Sequence, residues 1–468
     1  MIFPIKKIKG KISLPGDKSM SHRAVMLSSI AGGITEIENF LFCEDCLATV
    51  NAFKQMGVKI KLPVTPIPPR RTSGATGQAS HKSQARKTKI IVYGKGLRGL
   101  KKPAQPLYLG NSGTSMRLLS GILSGQEFYT RLEGDESLTK RPMKRIITPL
   151  KLMGTEIKGK KRLSNEYPPL EINGSPKLRA IKYKIPVVSA QVKSAILLAG
   201  LYANKETEIE EIIKTRDHTE KMLKLFEADI KVKGLKCKIK SSALCSPEKI
   251  NIPGDISSAA FFIVGATILA GSHLVLKNVG LNPTRTGIID VLKKMGADIT
   301  VHSQQSTANS LQSPENRTPN TENRGFEPVG DIEIKGSQLK GIEIRGEIIP
   351  RLIDEIPIIM LAACFAKGET KIEGIEELRI KEVDRISSLC YNLKKMEAEI
   401  KEKKSEVIIK GVGKLKGERL NSFADHRTAM TLAIAGLKAK GKTVIENSGC
   451  IKTSFPDFRE KLKEIVFV

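Results

Sequence analysis

The chain has no tryptophan, and aromatic residues make up only 4% of its 468 positions. Its core must therefore be built from Ile, Leu, Val, Ala and Met. No block of stacking aromatics interleaves with its basic residues, which weakens a single-strand nucleic-acid-binding reading. No apolar run approaches the roughly 18 residues of a membrane span. The start, Met1-Ile2-Phe3-Pro4-Ile5-Lys6-Lys7, lacks the apolar stretch of a signal peptide and reads as the first strand of a cytoplasmic protein. Cysteines are few, odd in number at seven, and scattered. Cys43 and Cys46 form a Cys-x-x-Cys, but no second pair has zinc-ligand spacing, so free thiols in a reducing cytosol fit better than a metal or redox centre. The Gly-x4-Gly-Lys spacing of a P-loop is absent as well.

Positive charge is in excess: 78 Lys and Arg against 49 Asp and Glu give a formal net charge of +29. Such an excess favours nucleic acid, membrane surfaces or small anionic substrates. The lysines are spread along the whole chain, often beside Ile, as on solvated strand and helix faces. We read the charge as partly generic and partly a field that draws anions into a cleft.

One unit is written about six times: an apolar helix of small residues, a glycine turn, a strand, a second helix and a closing strand. It closes on Met56-Gly57-Val58-Lys59-Ile60, Met153-Gly154-Thr155-Glu156-Ile157, Phe226-Glu227-Ala228-Asp229-Ile230, Met295-Gly296-Ala297-Asp298-Ile299 and Met396-Glu397-Ala398-Glu399-Ile400. A worn copy ends the chain at Leu462-Lys463-Glu464-Ile465. The short spacings are about 67 to 73 residues, and two are nearer 100. Each long spacing holds a polar segment, roughly 63–88 and 302–327, that reads as a disordered insert. Six units of this size suggest two domains of three, with catalysis in the cleft between them, and the length agrees with two domains. Helical periodicity is clear over 288–295, stopping at Gly296, and over 383–396, with Ile386, Leu389, Leu393 and Met396 on one face. Strands such as Val407-Ile408-Ile409 and Lys231-Val232-Lys233 are short. The class is α/β, or α+β with helices packed on mixed sheets.

Several motifs place anion-holding groups where a helix begins. Leu14-Pro15-Gly16-Asp17-Lys18-Ser19-Met20-Ser21-His22-Arg23 has a turn, a cap at Asp17 or Ser19, and Lys18, Ser19 and Arg23 near the helix N-terminus. Leu109-Gly110-Asn111-Ser112-Gly113-Thr114-Ser115-Met116-Arg117 lets backbone amides approach a ligand before a helix capped at Ser112 or Thr114. In Asp135 to Met143, Pro142 fits a first helical turn, and Arg141 before it could grip a carboxylate or phosphate with its planar fork. Val188-Ser189-Ala190-Gln191-Val192-Lys193-Ser194 puts two hydroxyls and an amide at a helix start, with no His and acid pairing that would suggest a serine nucleophile. Later come Arg351 to Pro357, with Asp354 before an apolar helix, and Leu378-Arg379-Ile380-Lys381-Glu382-Val383-Asp384-Arg385, in which Lys381 and Arg385 would share a helix face. Ala424-Asp425-His426-Arg427 opens another helix, and Lys452 to Asp457 closes the set. Read singly, each could be a capped surface helix or a solvated ion-pair network. Read together, basic residues recur where a strand hands over to a helix, and equivalent places in a repeat face one surface. Such a site suits a substrate with phosphate and carboxylate groups, with the acids moving protons.

From about Ile5 to the C-terminus, excluding the two inserts, these motifs resemble the 5-enolpyruvylshikimate-3-phosphate synthase family, in family order. Gly16-Asp17-Lys18-Ser19, Ser189 to Lys193, Arg216-Asp217-His218-Thr219-Glu220 and Asn282-Pro283-Thr284-Arg285 look like the class II form. The resemblance implies two domains of three βαβαββ units that close on binding, with the first strand paired to the C-terminal domain. Residues 17–252 would form one lobe, and residues 1–16 and 253–468 the other. It implies transfer of the carboxyvinyl group of phosphoenolpyruvate to the 5-hydroxyl of shikimate 3-phosphate through a tetrahedral adduct that loses phosphate. Motif matching assigns Lys18, Ser19, Arg23, Ser189, Ala190, Gln191, Asp354 and Lys381 to shikimate 3-phosphate, and Arg216 adds a contact to its phosphate. It assigns Lys18, Gly113, Arg141, Gln191, Arg385 and Arg427 to phosphoenolpyruvate. Asp354 looks like the base for the hydroxyl and Glu382 like the group handling the methylene proton, with Lys18 the third catalytic residue.

Two positions depart from the pattern. Many relatives carry a lysine two residues before the Phe-Pro pair; here Thr453 stands there, and Lys452, one residue earlier, is left out of the assignment. Where many class I relatives have Pro after the arginine of the second motif, this chain has Leu118. No cofactor, metal, nucleic acid or membrane is expected, and the chain is expected to be a monomer. The UDP-N-acetylglucosamine enolpyruvyl transferases share the repeat and the chemistry. They typically carry a reactive loop Cys and an N-terminal Lys-Asn, whereas here the pair is Lys18-Ser19 and no Cys lies between Cys46 and Cys237. A basic nucleic-acid-binding repeat protein is the rival from another class. Asp354 and Glu382 inside basic motifs argue against it.

Overall fold

The computed structural model describes residues 1–63, 89–304 and 326–467, so most of both polar inserts lies outside the described residues. Among the described residues are thirteen α-helices: α1 (Lys18–Ile30), α2 (Glu44–Gln55), α3 (Gly113–Ser124), α4 (Lys144–Leu152), α5 (Ala190–Gly200), α6 (His218–Leu225), α7 (Ile256–Ile268), α8 (Gly287–Lys294), α9 (Ile349–Leu352), α10 (Ile356–Cys364), α11 (Arg385–Lys395), α12 (His426–Lys438) and α13 (Phe458–Lys463). Asp17, Ser112, Ser189, Asp255 and Asp425 cap α1, α3, α5, α7 and α12, each side-chain oxygen accepting a first-turn N–H. The Met-Gly-Val-Lys-Ile type segments fall where an outer helix ends and an antiparallel strand begins. That corner needs a left-handed residue. Gly57, Gly154 and Gly296 supply it with φ of 85°, 97° and 97°, while Glu227 and Glu397 adopt it at 62° and 71°.

The strands form small mixed sheets with a recurring order of one parallel and two antiparallel pairings. Lys249–Asn251 runs parallel to Ile34–Glu38, followed by Ile90–Tyr93 and Lys59–Lys61. The order returns in Leu107–Tyr108, Tyr129–Glu133, Asn165–Asn173 and Glu156–Arg162. It returns in Lys182–Lys184, Thr207–Glu210, Lys236–Ile239 and Ile230–Lys233, and in Glu343–Ile344, Glu369–Glu373, Glu406–Lys410 and Glu399–Glu402. In the fifth sheet Lys7–Ser13 precedes His273–Gly280, Val329–Lys335 and Asp298–Gln304, and Val466–Phe467 joins its outer edge. A parallel pair, Arg419–Asn421 with Val444–Glu446, stands alone.

Buried apolar side chains fall into two clusters. One is drawn from Met20 to Ile252. The other is drawn from Ile8 to Leu14 and from Ile256 to Ile465. Helices α1, α3 and α5 fill the first, and α7, α10 and α12 the second, with nearly every residue buried. A helix buried on all sides has only its ends left to meet a ligand. The chain crosses between the clusters at two adjoining segments, where Asp17 N–H donates to Pro253 O at 2.9 Å and Asp255 N–H to Pro15 O at 3.0 Å. A Cβ at Gly16 would stand 1.9 Å from the Asn39 carbonyl oxygen, so the crossing excludes any larger residue there.

Four local expectations change. The first strand begins at Lys7, not Met1; Ile2 makes only an isolated bridge to Thr443, and Pro4 has no N–H to give a ladder. Pro142 lies outside α4, whose N-cap is Met143. Lys381 and Arg385 do not share a helix face, because Lys381 ends the 3₁₀ turn Glu376–Ile380 and Asp384 caps α11 afresh. The second insert is shorter than 302–327, since the strand Asp298–Gln304 runs into it and Glu327 is buried and bonded to His218. No helix among the described residues is long and apolar enough to cross a membrane.

Candidate active site

The starts of α1, α3, α5, α7, α11 and α12 all line one cavity of about 610 Å³. Helix N-termini present unpaired N–H groups and a partial positive charge, so six of them make this cavity a place for anions before any side chain is counted. All fourteen residues singled out from the motifs line it. Lys452 does not: it is exposed on a 3₁₀ turn, while Ser454 reaches the cavity.

The wall from the first cluster carries cations with mostly neutral partners. Arg23 donates to Thr219 Oγ1 at 2.7 Å, Ser194 Oγ at 3.1 Å and the Ser19 carbonyl at 2.9 Å. Burial lowers its pKa to about 10, so it stays charged near neutrality. Arg117 donates to Gln191 Oε1 at 2.9 Å, and Gln191 Nε2 to Thr114 Oγ1 at 3.0 Å. Burial, then Arg141 and Arg145, bring Arg117 to about 10. Arg141 donates to Asn111 Oδ1, and to Ser137 Oγ at 3.3 Å. Gly113 sits between the two guanidinium groups: a Cβ there would lie 2.6 Å from Arg117 Nη1 and 3.2 Å from Arg141 Nη1. Ser189 and Ala190 begin α5. Lys18 differs in pairing with an acid of its own wall, Asp45, at 3.0 Å. Burial opposes its charge, but Asp45, Cys43 and Glu382 outweigh burial and raise its pKa.

The wall from the second cluster interleaves cations with acids. Asp354 stands 3.7 Å from Lys381, 3.3 Å from Arg385 and 3.9 Å from Arg427, and Arg216 reaches it from the opposite wall at 2.8 Å. Burial pushes the pKa of this carboxyl up, yet Lys381, Arg216, Arg427 and Arg385 together hold it well below the usual range. Arg385 spreads its fork over three acids: Nη1 on Asp354, Nη2 on Glu382, and Nε on Asp425 at 2.9 Å. Burial also opposes charge on Glu382, and Arg385, Arg141 and Lys18 reverse it. His426 is pushed down to about 3, by burial first and then by Lys18, so its ring is neutral. Burial, Arg385 and Arg216 lower Lys381 despite the pull of Asp354 and Glu382.

The walls touch. Arg141 Nη1 lies 3.4 Å from Glu382 Oε1, Arg145 Nη1 lies 2.7 Å from Glu377 Oε1, and Ser137 Oγ donates to the Glu382 carbonyl at 3.2 Å. Several lining residues had no role from the motifs: Asp45, Asn111, Arg117, Arg145, Arg285, Glu377 and His426. Asn111, Arg117, Arg285 and His426 lie inside motifs already quoted, where their side chains went unused. Asp45 stands between Cys43 and Cys46, a spacing that drew attention to the thiols instead of the acid. Arg145 and Glu377 pair across 232 positions of chain, and nothing local marks them. Among the described residues, no His, Cys, Asp and Glu side chains group to hold a metal ion, and all seven cysteines are free.

Comparison with known proteins gives a consistent family. The model of the family described as EPSP synthase (3-phosphoshikimate 1-carboxyvinyltransferase) matches residues 2–66 and 74–462. The chain is 48% identical over 467 residues to a 3-phosphoshikimate 1-carboxyvinyltransferase of Desulforamulus reducens, covering 100% of this chain and 99% of that one. A Thermoanaerobacter sp. relative of the same description is 48% identical over 461 residues, 98% of each chain. The solved structure of an EPSP synthase from Acinetobacter baumannii is similar with a TM-score of 0.80 and 43% identity, covering 100% of this chain and 98% of that one.

Proposed function

The chain belongs to the EPSP synthase family and is a 3-phosphoshikimate 1-carboxyvinyltransferase of the shikimate pathway; from that premise we propose how its cavity divides the reaction. Shikimate 3-phosphate is held by Lys18, Ser19, Arg23, Ser189, Ala190 and Gln191, with Arg216, Asp354 and Lys381 closing over it. Phosphoenolpyruvate lies between Lys18, Gly113, Gln191 and Arg141 on one side and Arg385 and Arg427 on the other. Asp354 takes the proton of the 5-hydroxyl as its oxygen attacks the carbon bearing the phosphate. Glu382 manages the proton that adds to the methylene carbon, and Lys18 balances charge as the tetrahedral adduct expels phosphate.

The observation that carries this reading is the environment of Asp354, a carboxylate with four cations within 3.9 Å. Held so low, it would be a weak base. Anionic substrates entering the cavity draw those cations to themselves, and the carboxylate regains basicity when the hydroxyl is in place. No cofactor is needed for this addition and elimination.

The same reading takes the chain as two lobes, 17–252 and 1–16 with 253–468, closing over the cavity; the two apolar clusters support it. Six βαβαββ units, three to a lobe, account for the recurring sheet order, with the last unit reduced to its parallel pair and the terminal strand. The quoted class II motifs support assignment to that form, and we take the chain to act as a cytoplasmic monomer. The test is phosphate release with both substrates present. Release that requires shikimate 3-phosphate and is lost in Asp354→Asn supports the reading; release without that acceptor overturns it.

A further inference from the structure

Arg285 is buried at the crossing of the two chain segments, in a loop that no substrate assignment uses. The loop is rigid by its own chemistry: Asn282 Oδ1 accepts the Thr284 N–H at 2.9 Å, and the Asn282 carbonyl accepts the Arg285 N–H at 2.8 Å. Arg285 Nη1 donates to Asp17 Oδ2 at 2.9 Å, while Asp17 Oδ1 caps α1 immediately before Lys18. Arg285 Nη2 donates to Ser257 Oγ at 2.7 Å and to Asp255 Oδ1 at 3.2 Å. Ser257 in turn donates to Glu355, the neighbour of Asp354. One guanidinium therefore joins the residue before Lys18 to the residue after Asp354, across both walls.

His218 fixes the guanidinium from the side. Its Nε2 lies 3.0 Å from Arg285 Nη1, and its Nδ1 lies 2.7 Å from Glu327 Oε1. Arginine only donates, so Nε2 must accept, the proton must sit on Nδ1, and Glu327 must receive it. Glu327 also accepts from Lys221 Nζ at 3.0 Å and Asn282 Nδ2 at 2.8 Å, which ties α6 of the first wall to the Arg285 loop of the second. Planar fork geometry suits this task, because its separate nitrogens face Asp17 on one side and Ser257 and Asp255 on the other, whereas a lysine offers one nitrogen as a point charge.

We propose that Arg285 is a positioning residue that sets the register between Lys18 on one wall and Asp354 on the other. It acts through Asp17 and through Ser257–Glu355, and touches neither reacting atom. This rests on the assignment of Lys18 and Asp354 above. A loss of register of about 1 Å between reacting groups can cost on the order of a hundredfold in rate.

The test is a cycle of Asp17→Asn and Ser257→Ala, since asparagine still caps a helix and Asp255 still caps α7. Each variant should lower kcat about tenfold while the dissociation constant for shikimate 3-phosphate holds, and Ser257→Ala, which removes no charge, should keep the parental melting temperature. The double variant should cost no more than either alone, because both cut one path. Ser257→Thr, which keeps the hydroxyl, should restore kcat, and Arg285→Lys should match the single losses. Losses that multiply in the double variant, or single variants with parental kcat, overturn the proposal. A fall in the melting temperature of Ser257→Ala that accounts for its rate loss overturns it too. A parent enzyme that releases no phosphate would instead sink the functional reading on which it rests.

Discussion

On the wall built by α1, α3 and α5, guanidinium groups stand beside hydroxyls, amides and carbonyls; on the wall built by α10, α11 and α12, they stand beside carboxylates. Arg23 and Arg117 have neutral partners, and both are eased down to about 10. Arg385 has Asp425, Glu382 and Asp354, whose attraction outweighs burial and raises its pKa. The same residue type thus has opposite tasks. A buried cation with neutral partners has charge left for a ligand, and a ligand's phosphate or carboxylate completes it. A cation among acids spends its charge keeping them ionised and ready to take protons. The first wall should therefore govern affinity and the second the chemical step.

The sharpest way to break that division is Asp354→Asn. The amide keeps the shape but accepts no proton, and loss of a general base typically costs about 10²- to 10⁴-fold in rate. Shikimate 3-phosphate binding, measured by calorimetry, should persist. A variant that turns over at more than about a tenth of the parent rate places the base elsewhere.

Arg141→Ala tests the other half. Losing a charge-assisted, forked contact costs about 1.5 to 3 kcal/mol, hence roughly a ten- to hundredfold rise in the Michaelis constant for phosphoenolpyruvate. Arg141 also touches Glu382 at 3.4 Å, so this is where the division is most exposed. A variant that loses kcat and leaves that constant alone would move Arg141 to the chemical wall.

The affinity wall was the more legible in sequence, and for a physical reason. Caps and turns are local, so Asp17, Ser112 and Ser189 announce helix starts within three residues. The recurring closing segments announce where helix meets strand. Ion pairs on the chemical wall join distant stretches. Lys381 and Arg385 do meet Asp354, but across a helix start and a 3₁₀ turn, not on the shared helix face that their spacing suggested. Glu327 sits at the edge of a polar, Pro- and Ser-rich segment whose composition speaks for disorder. Its burial depends on His218, 109 positions earlier. Asp45 was hidden between two cysteines for the same reason: its partner, Lys18, lies on another helix.

Asp255 sharpens the comparison, because its charge is not fully supported. Burial first, then the like charge of Asp17, raise its pKa to about 6, against the pull of Arg285. Asp17 is the member of the pair that stays ionised, because Arg285 and the Met20 N–H outweigh burial. A carboxyl with a folded pKa above its unfolded value stabilises the fold at low pH, and that contribution is lost as pH rises through about 6. Asp255→Asn retains the cap of α7 and removes the titration. Its melting temperature should exceed the parent's above pH 6, by an amount corresponding to at most about 3 kcal/mol. The gain should fade as pH falls toward 4. A gain that is flat with pH would mean that Asp255 is fully ionised beside Arg285.

Gly113→Ala is the smallest expected change and isolates the affinity wall most cleanly. Gly113 opens α3 with an ordinary helical backbone, so alanine fits the chain and should raise the melting temperature slightly, by the equivalent of about 0.4 to 1 kcal/mol. The methyl meets side-chain ends only: Arg117 Nη1 at 2.6 Å and Arg141 Nη1 at 3.2 Å. Arg117 must swing away, and its bond to Gln191 Oε1 goes with it. Crowding of this kind costs about 1 kcal/mol, or roughly fivefold in the Michaelis constant for phosphoenolpyruvate. The carboxylates of the opposite wall are untouched, so kcat at saturation should hold. A variant with a depressed kcat and a parental Michaelis constant would show that crowding the arginines is felt by the proton-moving acids, and the two walls would have to be treated as one electrostatic unit.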